Sequence, residues 1–149
     1  MDVTKAVQTQ RTIRAFKPEA VPEVTIREVI ELAKLGPSNG NTQPWHIVVV
    51  SGDAKEQLKA AILKEIEEGI KPYPVFPPGG SGLKGVYKDR QRACGFKYYA
   101  SMDVDRADGP GREALMMRNY DFFGAPHAAF LSYTGTMNRA NAIDMGIFL

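Results

Sequence analysis

The sequence has one cysteine, Cys94, two histidines, His46 and His127, and one tryptophan in 149 residues. A lone cysteine excludes an internal disulfide, and two histidines without neighbouring ligands give no metal-spaced cluster. Cys94 is expected to be a small buried or half-buried side chain. No apolar run is longer than about five residues, against the roughly 20 needed to span a bilayer, and the opening Met1-Asp2-Val3-Thr4-Lys5 has no apolar leader segment. An excess of charge of one sign is missing too. Lys and Arg number 19 against 17 Asp and Glu, interleaved rather than blocked, so no nucleic-acid groove is indicated. A soluble protein in the cytoplasm is the expectation. There is no Ser-His-Asp arrangement, no Cys-His pair and no Gly-x-x-x-x-Gly-Lys phosphate loop. No catalytic residue is therefore assigned, and His46 and His127 are expected to be hydrogen-bonded structural residues.

The composition is that of an ordinary globular chain, 44% apolar and 24% charged, and its length suits a single domain over residues 1–149. Its centre is the stretch Gly36-Pro37-Ser38-Asn39-Gly40-Asn41-Thr42-Gln43-Pro44-Trp45, followed by the β-branched run 46–50. Gly36 and Pro37 stop a preceding helix, and the run reads as a buried strand. Ser38, Asn39, Asn41, Thr42 and Gln43 offer donors and acceptors to a flat heterocycle, with Trp45 as a rigid apolar wall on the access side. An ordinary helix-to-strand connection has the same composition. Earlier, Arg11-Thr12-Ile13-Arg14 sets two cations around a hydroxyl, chemistry that suits a phosphate or an electron-rich ring edge.

The remaining elements follow from periodicity and stop signals. Helices are expected over 4–11, from about Pro22 or Val24 to Leu35 with a Thr25–Glu28 capping box, from Asp53, over 89–104, and from Arg112 to Phe122-Phe123. Ile26, Val29, Ile30 and Ala33 form one core stripe, and Leu58, Ile62 and Ile66 another, with Lys55 and Lys59 on a solvated face. The aromatics Phe96, Tyr98 and Tyr99 are read as core. Pro72, Pro74, Pro77 and Pro78 followed by Gly79, Gly80, Gly82 and Gly85 exclude regular structure over 71–85, where Tyr73 and Phe76 are candidates to cover an aromatic substrate. A strand over 128–133 precedes a helix capped by Asn138 or Asn141. Its apolar residues Ile143, Met145, Ile147, Phe148 and Leu149 need covering, and the chain reads as truncated at that end.

Pro-Ser-x-x-Asn-x-Gln-Pro-Trp, a short distance after Arg11-Thr12-Ile13-Arg14-Ala15-Phe16, resembles the paired N-terminal signature of the FMN-dependent nitroreductase family. The likeness runs from about Val3 to the last residue. It implies an α+β fold, a mixed β-sheet flanked by helices, completed in a homodimer whose interface holds FMN. By the same resemblance Arg11, Thr12, Arg14, Pro37, Ser38, Asn41 and Gln43 line the flavin. Gln10 stands where many members carry a basic residue, which puts more weight on Thr12 and Arg14 than on Arg11. Arg118, in the segment 118–127 that resembles the family's middle motif, is matched to a polar side chain reaching the flavin. The implied activity is an NAD(P)H oxidoreductase that reduces nitroaromatics, quinones or similar planar acceptors by ping-pong hydride transfer, the cofactor carrying the hydride. A deiodinase or flavin-destroying member would share these motifs. The reading from another class is a non-catalytic remnant, or a subunit that depends on a partner to cover its last helix.

Overall fold

The computed structural model describes residues 2–74, 76, 80–136 and 138–149. Asp2 opens α1 (Val3–Thr9), its Oδ1 accepting from the Lys5 N–H at 2.8 Å. Helix α2 (Glu23–Ala33) begins from Pro22, ahead of the expected Thr25–Glu28 capping box, and has no side-chain cap. Pro22, with φ −55°, is already at a helical φ, and Glu23 in the first turn reaches Arg27 Nη2 at 2.6 Å one turn on. Of its apolar stripe Ile26, Ile30 and Ala33 are half-buried while Val29 stays exposed. The last turn closes through Leu35 and Gly36 N–H bonds to the Leu32 and Ala33 carbonyls at 3.1 and 3.0 Å. A Cβ on Gly36 would lie 3.2 Å from both the Ala33 oxygen and Ile147 Cγ2, so this close approach favours glycine.

Strands β1 (Trp45–Ser51) and β2 (His127–Tyr133) pair antiparallel, Trp45 opposite Tyr133 and Ser51 opposite His127. Alternation puts Ile47 and Val49 on the half-buried face and Val48 on the exposed one. The α+β expectation holds; of the mixed sheet, the described residues form this antiparallel pair. Helix α3 (Gly52–Glu67) half-buries Leu58, Ile62 and Ile66 as their spacing requires. Lys55 departs from its expected solvated face. It is 8% exposed, and its Nζ donates to the Ala125 carbonyl at 2.8 Å with Glu56 Oε1 at 3.1 Å. A carbonyl 70 positions away claims the ammonium, which α3's own periodicity does not show.

The chain divides into two compact units, one formed by residues up to Leu58 with Phe123–Leu149 and the other by Lys59–Phe122. In the second, α4 (Gly85–Ala100) starts four residues before the expected Asp89 and α5 (Gly109–Met117) starts from Asp108, whose Oδ1 accepts from the Gly111 N–H at 2.8 Å. Phe122 and Phe123, expected as the end of that helix, sit instead in a short 3-10 turn with φ 49° and 55°, which no α-helix continues through. Cys94 is exposed, contrary to expectation, because the apolar residues of α4 do not gather on one face. Tyr98 and Tyr99 are half-buried, whereas Phe96 is exposed. Helix α6 (Arg139–Phe148) is capped by Asn138, and both of the alternative cap residues take part in one reciprocal cap, the Asn141 N–H donating to Asn138 Oδ1 at 3.0 Å and the Asn138 N–H to Asn141 Oδ1 at 3.4 Å. Among the described residues the buried apolar side chains are Trp45, Leu115, Ala125 and Phe148, each still 8–9% exposed.

Candidate functional site

The polar loop after α2 is tied into one conformation by its own hydrogen bonds. Ser38 is extended, and a 3-10 turn over Asn39–Asn41 closes with the Asn41 N–H on the Ser38 carbonyl at 2.9 Å. Gly40, Asn41 and Gln43 have φ of 60°, 55° and 46°. Glycine and asparagine tolerate this region; glutamine does so at a cost of order 1 kcal/mol. Ser38 Oγ accepts from the Gln43 N–H at 2.9 Å and offsets that cost. Gln43 Nε2 donates to Asn41 Oδ1 at 3.2 Å, which leaves the Asn41 Nδ2 donors and the Gln43 Oε1 acceptor on the exposed rim. An adjacent donor and acceptor match the imide edge of a planar heterocycle. The loop is held from behind, the Asn39 N–H donating to Asp144 Oδ1 of α6 at 2.9 Å.

Arg11, Thr12 and Arg14 lie on a separate exposed segment, 10–22, without regular structure. Arg11 Nη1 donates to the Gln8 and Gln10 carbonyls at 3.1 and 2.7 Å, so this guanidinium caps the end of its own helix. The far end of the segment is fixed where the Val21 N–H donates to His127 Nε2 at 2.8 Å, the structural use expected of that histidine. Ser38, Asn41 and Gln43 are thus joined in one loop, and Pro37 stands at its entry. Trp45, expected on the access side, is 8% exposed with its ring 5.1 Å from that of Phe148, so its face is in the core. In the second unit Arg118 is the half-buried C-cap of α5, Tyr73 is 98% exposed and Phe76 is exposed. Val75 and residues Pro77, Pro78 and Gly79 of the expected substrate loop lie outside the described residues. No group of three metal-ligating side chains, and no helix long and apolar enough to cross a membrane, occurs among the described residues.

Residues 7–149 match the model of the nitroreductase family. The chain belongs to the nitroreductase family. It is 37% identical over 145 residues to nitroreductase NfnB of Mycolicibacterium smegmatis, covering 97% of this chain and 61% of that protein. It is 33% identical over 149 residues to a 4-nitrobenzoate reductase of Pseudomonas putida, covering 99% and 64%. The chain spans about three-fifths of the length of these curated relatives. The crystal structure of the FMN- and NADPH-dependent nitroreductase NfnB from Sphigopyxis sp. strain HMH superimposes with a TM-score of 0.90 at 32% identity, over 99% of this chain and 67% of that one.

Asp144 is the residue at the nitroreductase loop that sequence reasoning missed. Its signal was the one carboxylate of α6, set among Ile143, Met145, Ile147 and Phe148: it is 3% exposed, and its Oδ2 is buried with no hydrogen-bond partner among the described residues.

Proposed function

We propose that this nitroreductase chain binds FMN through segments 11–14 and 37–43 and acts as an NAD(P)H-dependent oxidoreductase on nitroaromatics, quinones or similar planar acceptors. The observation that carries the reading is the pre-ordered loop Ser38–Gln43 with its paired amide donor and acceptor. Bound FMN supplies hydride and electron transfer, which is why the chain needs no acid–base set of its own. Asn41 and Gln43 would orient the ring edge, Ser38 would hold the loop, Thr12 would add a hydroxyl donor, and Arg14 would set positive charge beside the flavin. Arg118 would contribute a further polar contact, and Tyr73 and Phe76 would cover the acceptor. Trp45 is not part of that cover, because its ring is packed on Phe148. A cytoplasmic location goes with a nicotinamide donor.

The expected result is a purified yellow protein whose flavin absorbance is bleached by NADH or NADPH without oxygen and restored by a nitroaromatic. A protein that holds no FMN when the cofactor is supplied would overturn this reading and favour the non-catalytic one.

We also propose that the chain works as a homodimer. Leu32, Leu35, Ile143 and Ile147 are exposed on α2, the turn after it and α6. Exposed apolar side chains in such number favour burial against a second copy. Sedimentation equilibrium should give a dimer mass, and Ile143→Glu should shift it toward monomer. A monomer at all concentrations would refute the assignment.

A further inference from the structure

We infer that Asp144 is a positioning residue for the Ser38–Gln43 loop, acting through the backbone N–H of Asn39; this rests on the FMN reading only for its functional consequence. Nothing local in the loop accepts from the Asn39 N–H. The internal hydrogen bonds run from Asn41 to Ser38, from Thr42 to Asn39 and from Gln43 to Ser38, all using other N–H groups. The Asn39 N–H has Asp144 Oδ1 as its acceptor, at 2.9 Å and 105 positions along the chain. That bond sets where the 3-10 turn begins, and hence where Asn41 and Gln43 present their free amide atoms.

The helix that delivers this carboxylate is itself fixed. The Asn138–Asn141 reciprocal cap holds its start, and Phe148, one turn after Asp144, packs on Trp45 at the exit of the same loop. The loop is therefore gripped at both ends by α6, at Asn39 through a hydrogen bond and at Trp45 through a ring contact. A carboxylate at 3% exposure with a second oxygen lacking any donor among the described residues is costly. A role in packing alone would be met by leucine at the same position. The geometry accounts for an acceptor there through the orientation of Asn39.

The test separates the acceptor from the bulk. Asp144→Asn keeps an oxygen where Oδ1 stands, and Asp144→Ala removes it. Asn39→Pro removes the donor instead, at a site where Ser38 is already extended (φ −134°, ψ 156°), as a residue before proline must be. Amide hydrogen exchange at Asn39 should speed up about tenfold or more in Asp144→Ala and stay near the native rate in Asp144→Asn. The FMN dissociation constant should rise about tenfold in Asp144→Ala and in Asn39→Pro, with no further rise in the double variant. Unchanged exchange at Asn39 in Asp144→Ala would overturn the inference, as would Asp144→Asn behaving like Asp144→Ala, or additive effects in the double variant. Should Asp144→Ala fail to fold, Asp144→Asn and Asn39→Pro carry the same decision: native FMN binding by Asn39→Pro, or its loss in Asp144→Asn, overturns the inference. If the native chain holds no FMN, the flavin reading fails, while exchange at Asn39 still decides the role of Asp144.

Discussion

Trp45→Ala should cost about 3–5 kcal/mol of stability, the range for deleting a buried aromatic ring. The effect is large here because the core is thin. Among the described residues four apolar side chains are buried, none of them completely, and Trp45, Ala125 and Phe148 are the three in the unit that carries the loop. Removing the Trp45 ring leaves Phe148 facing a void, and the contact at 5.1 Å and 41° is itself worth about 0.5–1.5 kcal/mol beyond area burial. Against a total of about 5–15 kcal/mol for a domain, this is a substantial share. Urea denaturation followed by circular dichroism measures it, since the substitution removes the chain's single tryptophan fluorophore. Trp45→Phe should recover most of the loss, and a double-mutant cycle with Phe148→Ala should return the coupling of the pair. A cost below about 1 kcal/mol would place the ring outside the core and return it to the acceptor wall.

Which parts of this architecture could be read from the residues depends on how far apart their partners lie. The β-branched run 46–50 announces β1, Gly36-Pro37 announces the end of α2, and Asn138 announces α6, because each signal sits within about one turn of its effect. The paired motifs in 11–14 and 37–45 announced the family on the same local terms. Lys55 and Asp144 could not be read this way. Their partners, the Ala125 carbonyl and the Asn39 amide, are 70 and 105 positions away, so a lysine on a polar face carried no sign of burial, and the lone carboxylate of α6 stood out without showing what it would bond. The same distance effect explains Trp45. Its neighbours in sequence are a polar loop and a strand, and only the return of α6 with Phe148 decides that its ring faces inward. Phe122 and Phe123 were misread for a different reason. Positive φ in bulky residues runs against local propensity, and the competing helical pattern of 112–121 was the stronger signal.

Arg14→Ala should raise the FMN dissociation constant by about 10–100-fold, as expected for losing a charge-assisted contact to an anionic or electron-rich group. The matched comparison is Arg11→Ala. Arg11 Nη1 donates to the Gln8 and Gln10 carbonyls, so its guanidinium serves as a cap of α1. Its loss should fray the end of α1, at a cost below about 1 kcal/mol for an exposed helix end, and change flavin affinity by only a few-fold. Both side chains lie on the exposed segment 10–22, so neither substitution opens a cavity. Titration of FMN fluorescence gives the two constants, and thermal melts of the apoproteins separate retention of the cofactor from stability of the fold. The expected pattern is a large affinity loss with a small change in melting temperature for Arg14→Ala, and small changes in both for Arg11→Ala. Salt adds an independent criterion, because a contact to the flavin phosphate weakens with ionic strength whereas a neutral amide pair such as Asn41 and Gln43 does not. If Arg14→Ala holds FMN as tightly as the native chain, or if Arg11→Ala loses more, then the cation proposed beside the flavin is not Arg14, and the amide loop remains as the proposed flavin contact.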